Sequence, residues 1–184
     1  MKNILLTITI ALLFMGCSSK QLYTLGDNID IPPQKTKTSQ EFIAVENIEL
    51  PSYFLDSPIY KKDTKYHLQK IDKANWIMDI DKHLTSVLIS TLQKSRDNPN
   101  IYAYPWSNIK KMDKKISIII SKFIAYKNIV TLEANYQILD KNINRTSNYF
   151  FTTKENFKGE SVENMIEAME KAYLRLIKDI NNKL

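Results

Sequence analysis

Two histidines, His67 and His83, one cysteine, Cys17, and a close pair of carboxylates, Asp79 and Asp81, are the residues of this 184-residue chain whose types suit catalysis or metal binding. Such chemistry needs set spacings: metal ligands as in H-E-x-x-H, a nucleophile beside a base, or paired carboxylates in a cleft. Neither histidine stands in that pattern, and no G-x-S-x-G elbow occurs. The glycines are Gly16, Gly26 and Gly159, too scattered for a phosphate-cradling loop. His67 and His83 therefore read as surface or half-buried side chains. Asp79 and Asp81 read as the cap and first-turn acid of a helix. No catalytic set, cofactor or metal site follows from these residues, and a hydrolase would have to show turnover that depends on His67 or His83.

Cys17 has a different setting. It ends "LLFMGC", after an apolar run from Ile4 to Met15 broken by Thr7 and Thr9. That run is too short for a permanent membrane span, which needs ~20 residues, and has the proportions of a secretory h-region. A general signal peptidase needs small residues on both sides of its cut, and Phe14-Met15-Gly16 supplies only the glycine. Gly16-Cys17-Ser18-Ser19 resembles a bacterial lipobox instead. In a lipobox the thiol takes diacylglycerol, the chain is cut before the cysteine, and the new amino terminus is acylated. The competing reading is a buried free thiol in an uncleaved anchor. Two or more acyl chains hold a protein stably on its membrane, at roughly 0.8 kcal/mol per buried CH₂. Ser18 stands where lipoproteins kept at the inner membrane carry aspartate. The lipobox thus implies an outer-membrane location facing the periplasm.

With Cys17 acylated no disulfide is possible, so the exported chain depends on its packed core. The formal charge is +6, and Lys2 is the one charged residue among residues 1–16, leaving +5 after their removal. The excess lysines read as solvated surface, with attraction to anionic lipid head groups as the functional alternative. In "IYAYPWSNIKKMDKK", Tyr102, Tyr104 and Trp106 beside lysines would suit stacked bases. Export excludes nucleic acid as the partner, and Tyr102 and Tyr104 read as core and rim packing in an extended segment ended by Pro105.

The elements follow from hydrophobic period. Leu22, Tyr23 and Leu25 suggest a short strand, and residues 26–40 a polar, proline-containing tether. "EFIAVENIEL" places Phe42, Ala44, Ile48 and Leu50 on one strand face, ended by Pro51. Short strands are expected at residues 59–60 and 66–69. Ile80, Leu84, Val87, Leu88 and Leu92 form one helical stripe. Residues 116–126 predict a central strand, and a turn at Lys127-Asn128 leads into a strand with Val130, Leu132, Ala134, Tyr136 and Ile138 on its dry face. After a turn at residues 140–142, a third strand near residues 148–152 completes an antiparallel meander. A last helix carries Val162, Met165, Ile166, Met169, Tyr173, Leu176, Ile177 and Ile180 on one face, with Ser161 as cap and Glu167–Lys171 as a pair. That face packs on the core, although its methionines would also suit a partner helix. The expected fold is α+β: a mostly antiparallel β-sheet with two long amphipathic helices packed on one face. The domain plan is residues 1–16 as lipoprotein signal peptide, 17–40 as lipidated amino terminus and tether, and 41–184 as a single periplasmic domain.

The order of these pieces resembles the ABC-type transport auxiliary lipoproteins, including the PqiC-like partners of MCE lipid-transport systems. The likeness lies in the lipobox, the "LYTL" after it, "LPSYFLDSP" as a Leu-Pro-x-Tyr-Leu-Asp-x-Pro turn with Phe54 inserted, Asn75-Trp76 ahead of the helix, "YPW", and "KFIAYKNIVTLEANYQI". Lys61 and Asn75 stand where the family favours arginine, so a bidentate guanidinium contact is not available there. The resemblance implies a membrane-anchored docking component of an envelope lipid-transport machine, without chemistry of its own. Its partners would be an MCE-domain protein, an ABC transporter permease and ATPase, membrane lipid through acylated Cys17, and further copies of itself. The implied partner-binding residues are Leu50, Pro51, Tyr53, Leu55, Asp56 and Trp76. An alternative is a structural or assembly lipoprotein supporting outer-membrane barrel or lipopolysaccharide assembly, since fold alone does not separate the two.

Overall fold

A computed structural model describes residues 19–27, 29, 41–105 and 111–184; Cys17, the polar stretch 30–40 and Trp106 lie outside the described residues. Among those described, the chain forms β1 (Gln21–Tyr23), β2 (Ile43–Glu46), a 3-10 turn (Ser52–Phe54), β3 (Pro58–Lys62), β4 (Leu68–Trp76), α1 (Ile80–Arg96), β5 (Ile101–Tyr104), β6 (Lys114–Tyr126), β7 (Ile129–Asp140), β8 (Arg145–Asn156) and α2 (Val162–Lys183). The result is a mixed α/β protein: one eight-stranded, mostly antiparallel sheet and two helices.

The meander of β6, β7 and β8 supplies the longest ladders, with Lys114 opposite Asp140 and Ile129 opposite Asn156 at their ends. Val130, Leu132, Ala134, Tyr136 and Ile138 are all buried, as their period of two requires. The free edge of β6 is shared. Near its start it pairs with β2, and at Tyr126 with β3, both in parallel. β5 extends the sheet beyond β2, while β4 and then β1 extend it beyond β3. β4 is antiparallel to β3, but β1 runs parallel to β4, with Gln21 opposite Ala74.

Local expectations fail where neighbours override periodicity. In β2 the Phe42–Ala44 parity does not single out the core: Ile43 and Val45 join the principal core and Ala44 is buried too, so this strand, interior to the sheet between β5 and β6, is covered on both faces. Asp79 occupies the N-cap of α1, but its carboxylate bonds Lys82 at 2.6 Å instead of a helix amide. Lys127, at φ 54°, takes the left-handed position of the β6–β7 turn, not Asn128. Ser161 does cap α2, accepting from the Asn164 amide at 3.1 Å.

Both helices bury the stripes read from the sequence: Ile80, Leu84, Leu88 and Leu92 in α1, and residues from Met165 to Ile180 in α2. Each fully buried aliphatic side chain contributes about 1.5–3 kcal/mol. α1 lies against β2, β5 and α2, while α2 lies against β7 and β8. Polar ties fix their positions. The buried Tyr173 hydroxyl donates to the Leu84 carbonyl at 2.7 Å, Tyr136 donates to Asp179 at 2.5 Å, and Arg175 pairs with Glu155 at 2.6 Å. The segment after β1 is held as well: the Gly26 amide donates to the Glu170 carboxylate at 2.7 Å, and Leu25 is fully buried. Gly26 has φ 102°, and a Cβ there would come within 3.1 Å of Val87.

Gly26→Ala is expected to destabilise the fold by more than 1 kcal/mol in urea titration, since both backbone and space oppose a side chain. Burial and the Asp179 carboxylate push the Tyr136 phenol well above its usual 10.0. Because the folded value is raised, its contribution is complete below pH 10 and is lost as the pH rises through the raised value. Denaturation midpoints measured between pH 9 and 12 should therefore fall less steeply for Tyr136→Phe than for the wild type.

Candidate docking site

The turn at residues 51–57 exists because two strands of unequal reach lie along one edge. Ile43 pairs with Lys114 and Lys62 with Tyr126, so the chain spends 19 residue steps where β6 spends 12. The surplus of seven residues must leave the ladder. Pro51 (φ −56°, ψ 145°) starts the departure, since its ring fixes φ and removes an amide donor. The Phe54 and Leu55 amides then donate to the Pro51 and Ser52 carbonyls at 2.9 and 3.0 Å, closing a 3-10 turn.

The turn sits on a mount of aromatic rings. Phe54 packs 6.0 Å from Trp76, 5.7 Å from Phe123 and 5.3 Å from Tyr53, centroid to centroid. These separations suit offset or tilted ring contacts, worth about 0.5–1.5 kcal/mol each beyond area burial. The Tyr53 hydroxyl accepts from the Phe123 amide at 3.1 Å, filling the stretch of the β6 edge that neither β2 nor β3 reaches. Burial pushes the Tyr53 phenol up, against a lowering by that amide. The Trp76 amide donates to the Ser57 carbonyl at 2.6 Å, tying the end of the turn to β4.

The six residues expected to bind a partner thus gather in one place but divide by exposure. Trp76 is 5% exposed, Leu50, Pro51 and Tyr53 are half-buried, and Leu55 (74% exposed) and Asp56 project outward. Phe54, at the centre of the mount, has no place among the expected site residues; adjacent Tyr53 and Phe54 in a proline-bounded turn are the signal for it. Asn75 is nearly buried, and its amide donates to the Lys73 carbonyl at 3.1 Å, where Lys73 takes φ 60°. A short amide suits that local turn, and no guanidinium contact is made there. Lys61 lies half-buried within β3.

Each histidine has an acidic neighbour in space that no metal-ligand spacing in the chain marks, Asp63 for His67 and Asp27 for His83. His67 Nδ1 lies 2.8 Å from Asp63 on the exposed β3–β4 hairpin, and this contact holds the Asp63 carboxyl below its usual value. His83 Nε2 lies 3.0 Å from Asp27, a close contact without hydrogen-bond alignment. Among the described residues no group of three or more His, Cys, Asp or Glu is placed to hold a metal ion, and no helix is long and apolar enough to cross a membrane. Tyr102 is core, with its hydroxyl donating to the Lys111 carbonyl at 2.7 Å, and Tyr104 lies at the rim.

Two crystal structures share this fold. One, of an uncharacterized protein, superposes with a TM-score of 0.72 at 11% identity, covering 90% of this chain and 99% of its own. The other, protein XCC0632 from Xanthomonas campestris, has a TM-score of 0.71 at 15% identity, covering 88% and 92% respectively. The comparison with curated proteins finds no match. At these identities the structures speak for the fold alone. The sequence itself is matched over residues 23–181, from β1 to the last turns of α2, by the family model of the ABC-type transport auxiliary lipoprotein component, and the chain belongs to that family.

Proposed function

We propose that this protein is the docking lipoprotein of an ABC transporter that works with an MCE-domain protein to move lipid between the inner and outer membranes. Acylated Cys17 anchors it in the outer membrane, facing the periplasm. The two helices act as one amphipathic layer on one face of the sheet, leaving the opposite face and the turn at residues 51–57 for partners, including further copies of the chain. The protein contributes position, not catalysis. One observation carries this reading within the family: Leu55 and Asp56 project from a turn whose other members are locked by ring packing and by bonds to β4 and β6. An exposed leucine on a rigid mount loses little side-chain or loop freedom on binding, which favours affinity.

The test is affinity purification from mildly crosslinked, solubilised envelopes, with mass spectrometry of the partners and of the amino-terminal peptide. Wild type is expected to bring down MCE and ABC subunits and to yield a lipidated Cys17 peptide, whereas Cys17→Ala loses the lipid. Leu55→Arg with Asp56→Arg should reduce partner recovery about 30-fold, as for removal of a hot spot, at an unchanged melting temperature. Phe54→Ala should behave differently, costing about 3–5 kcal/mol of stability through the cavity it leaves. Recovery of barrel- or lipopolysaccharide-assembly proteins alone would transfer the protein to the assembly reading. An unmodified Cys17 would overturn the anchor.

A further inference from the structure

The tip of the β3–β4 hairpin and the β6–β7 turn meet at one end of the sheet and enclose a groove of about 680 Å³. Five lysines line it: Lys62, Lys65, Lys122, Lys127 and Lys154. Among the described residues no carboxylate lines the groove, and of the five lysines only Lys122 is neutralised by an ion pair with a described residue, Glu133 at 3.0 Å. Asp63, on the same hairpin, is engaged by His67. The floor and rim are apolar. Ile124 is buried outside the principal core, Ile129 is 39% exposed, and Tyr66 is 85% exposed. Lys65 Nζ lies 5.1 Å from the centre of the Tyr66 ring and Lys127 Nζ 5.5 Å from that of Tyr126, so ammonium groups and rings stand side by side. Ile124 and Tyr126 alternate with the core residues Phe123 and Ala125 along β6, which puts the groove on the sheet face opposite the principal core.

The course of the amino-terminal segment gives this groove a direction. β1 runs parallel to β4 with Gln21 opposite Ala74, so followed back from Gln21 the chain heads toward the Leu68 end of β4. That end pairs with Lys62, which in turn pairs with Tyr126. The described chain begins at Ser19, and Cys17 is two residues earlier, within about 7 Å of contour. The described residues before β1 thus run in the direction of the end of the sheet that carries the lysines.

We infer that the lysine-lined groove is a membrane-contact surface, on which anionic phospholipid head groups meet the ammonium groups while Tyr66 and Ile129 reach the interface. This orientation rests on the reading of Cys17 as the acylated anchor. Lysine suits the task because its compact charge engages phosphates at varied geometry without a fixed bidentate partner. Amphipathic aromatic rings settle at head-group depth. An acidic protein is the competing occupant, but the open groove, its exposed aromatic tip and its unpaired lysines beside apolar side chains favour a lipid surface.

The test uses the processed chain, residues 17–184, bearing Cys17→Ser, which carries neither the acyl chains nor the apolar run at residues 4–15, so that vesicle affinity reports the groove. Flotation with phosphatidylethanolamine vesicles containing either phosphatidylglycerol or phosphatidylcholine should show preference for the anionic set, lost in 0.5 M salt. At about fivefold per lysine, Lys62→Gln with Lys65→Gln and Lys127→Gln should weaken binding to anionic vesicles roughly 100-fold. The exposed lysines Lys94, Lys141 and Lys178, changed together to glutamine, should have far less effect. Equal affinity for the two vesicle types, or an unchanged affinity in the groove variant, would overturn the inference. Tighter binding of a poly-glutamate peptide than of anionic vesicles, lost in the groove variant, would overturn it in favour of an acidic protein. Wild type leaving vesicles as readily as Cys17→Ser would overturn the anchor, and with it the orientation, while the groove variant still reads lipid binding separately.

Discussion

Strand β6 has thirteen residues of backbone with two edges to satisfy, and the rest of the fold is arranged around that requirement. An unpaired buried amide or carbonyl costs free energy comparable to a lost hydrogen bond. One edge is met by β7 from Lys114 to Tyr126, with a register shift at Ser121. The other is met in pieces by a single stretch of chain running alongside it: β2 first, then the Glu49 backbone bridging Ile118 and Ile120, then the Tyr53 hydroxyl on the Phe123 amide, then β3. A side chain thus completes a ladder that backbone alone leaves open.

The exposed turn is a consequence of this arrangement. The same stretch must satisfy β6 and is longer than β6 requires, so residues 51–57 are extruded at the point where Tyr53 must be held in register. Phe54 secures the extruded segment against Trp76 and Phe123, leaving the Leu55 and Asp56 side chains exposed. Rigidity and exposure come from one device: the residues that face inward hold still those that face outward.

The helices are tied to one another and to the sheet. Tyr173 joins them through the Leu84 carbonyl, Arg96 near the end of α1 donates to Asn181 near the end of α2, and Lys114 at the start of β6 reaches both Glu41 and the Leu184 carbonyl. Lys114 is mostly buried, and its two oxygen partners offset the loss of water. These ties hold the helix pair and the start of β6 in one frame, while the lysine groove lies at the far end of the same strand.

The meander and both helices were legible in the residues themselves. The alternation from Val130 to Ile138 and the stripes of α1 and α2 record which side of each element meets apolar neighbours, and those periods are local. The cap at Ser161 was equally local; the one assigned to Asp79 failed because Lys82 offered its carboxylate a nearer partner. Three kinds of information were not local. The parity of β2 vanished because both faces of the strand are covered, with Ile43, Ala44 and Val45 all buried. The parallel placement of β1, β2 and β3 depends on pairings between residues far apart in the chain. The gathering of Lys62, Lys65, Lys122, Lys127 and Lys154 follows from bringing a hairpin tip and a distant turn to the same end of the sheet. By itself the sequence determined the lipobox-like cysteine, the elements with regular hydrophobic period and the order of family motifs, because each is written in neighbouring residues. Tertiary structure alone decided which edge each strand joins, how Phe54 and Tyr53 hold the turn, and which charges share a surface, because these depend on satisfying backbone groups and closing a core across the whole chain.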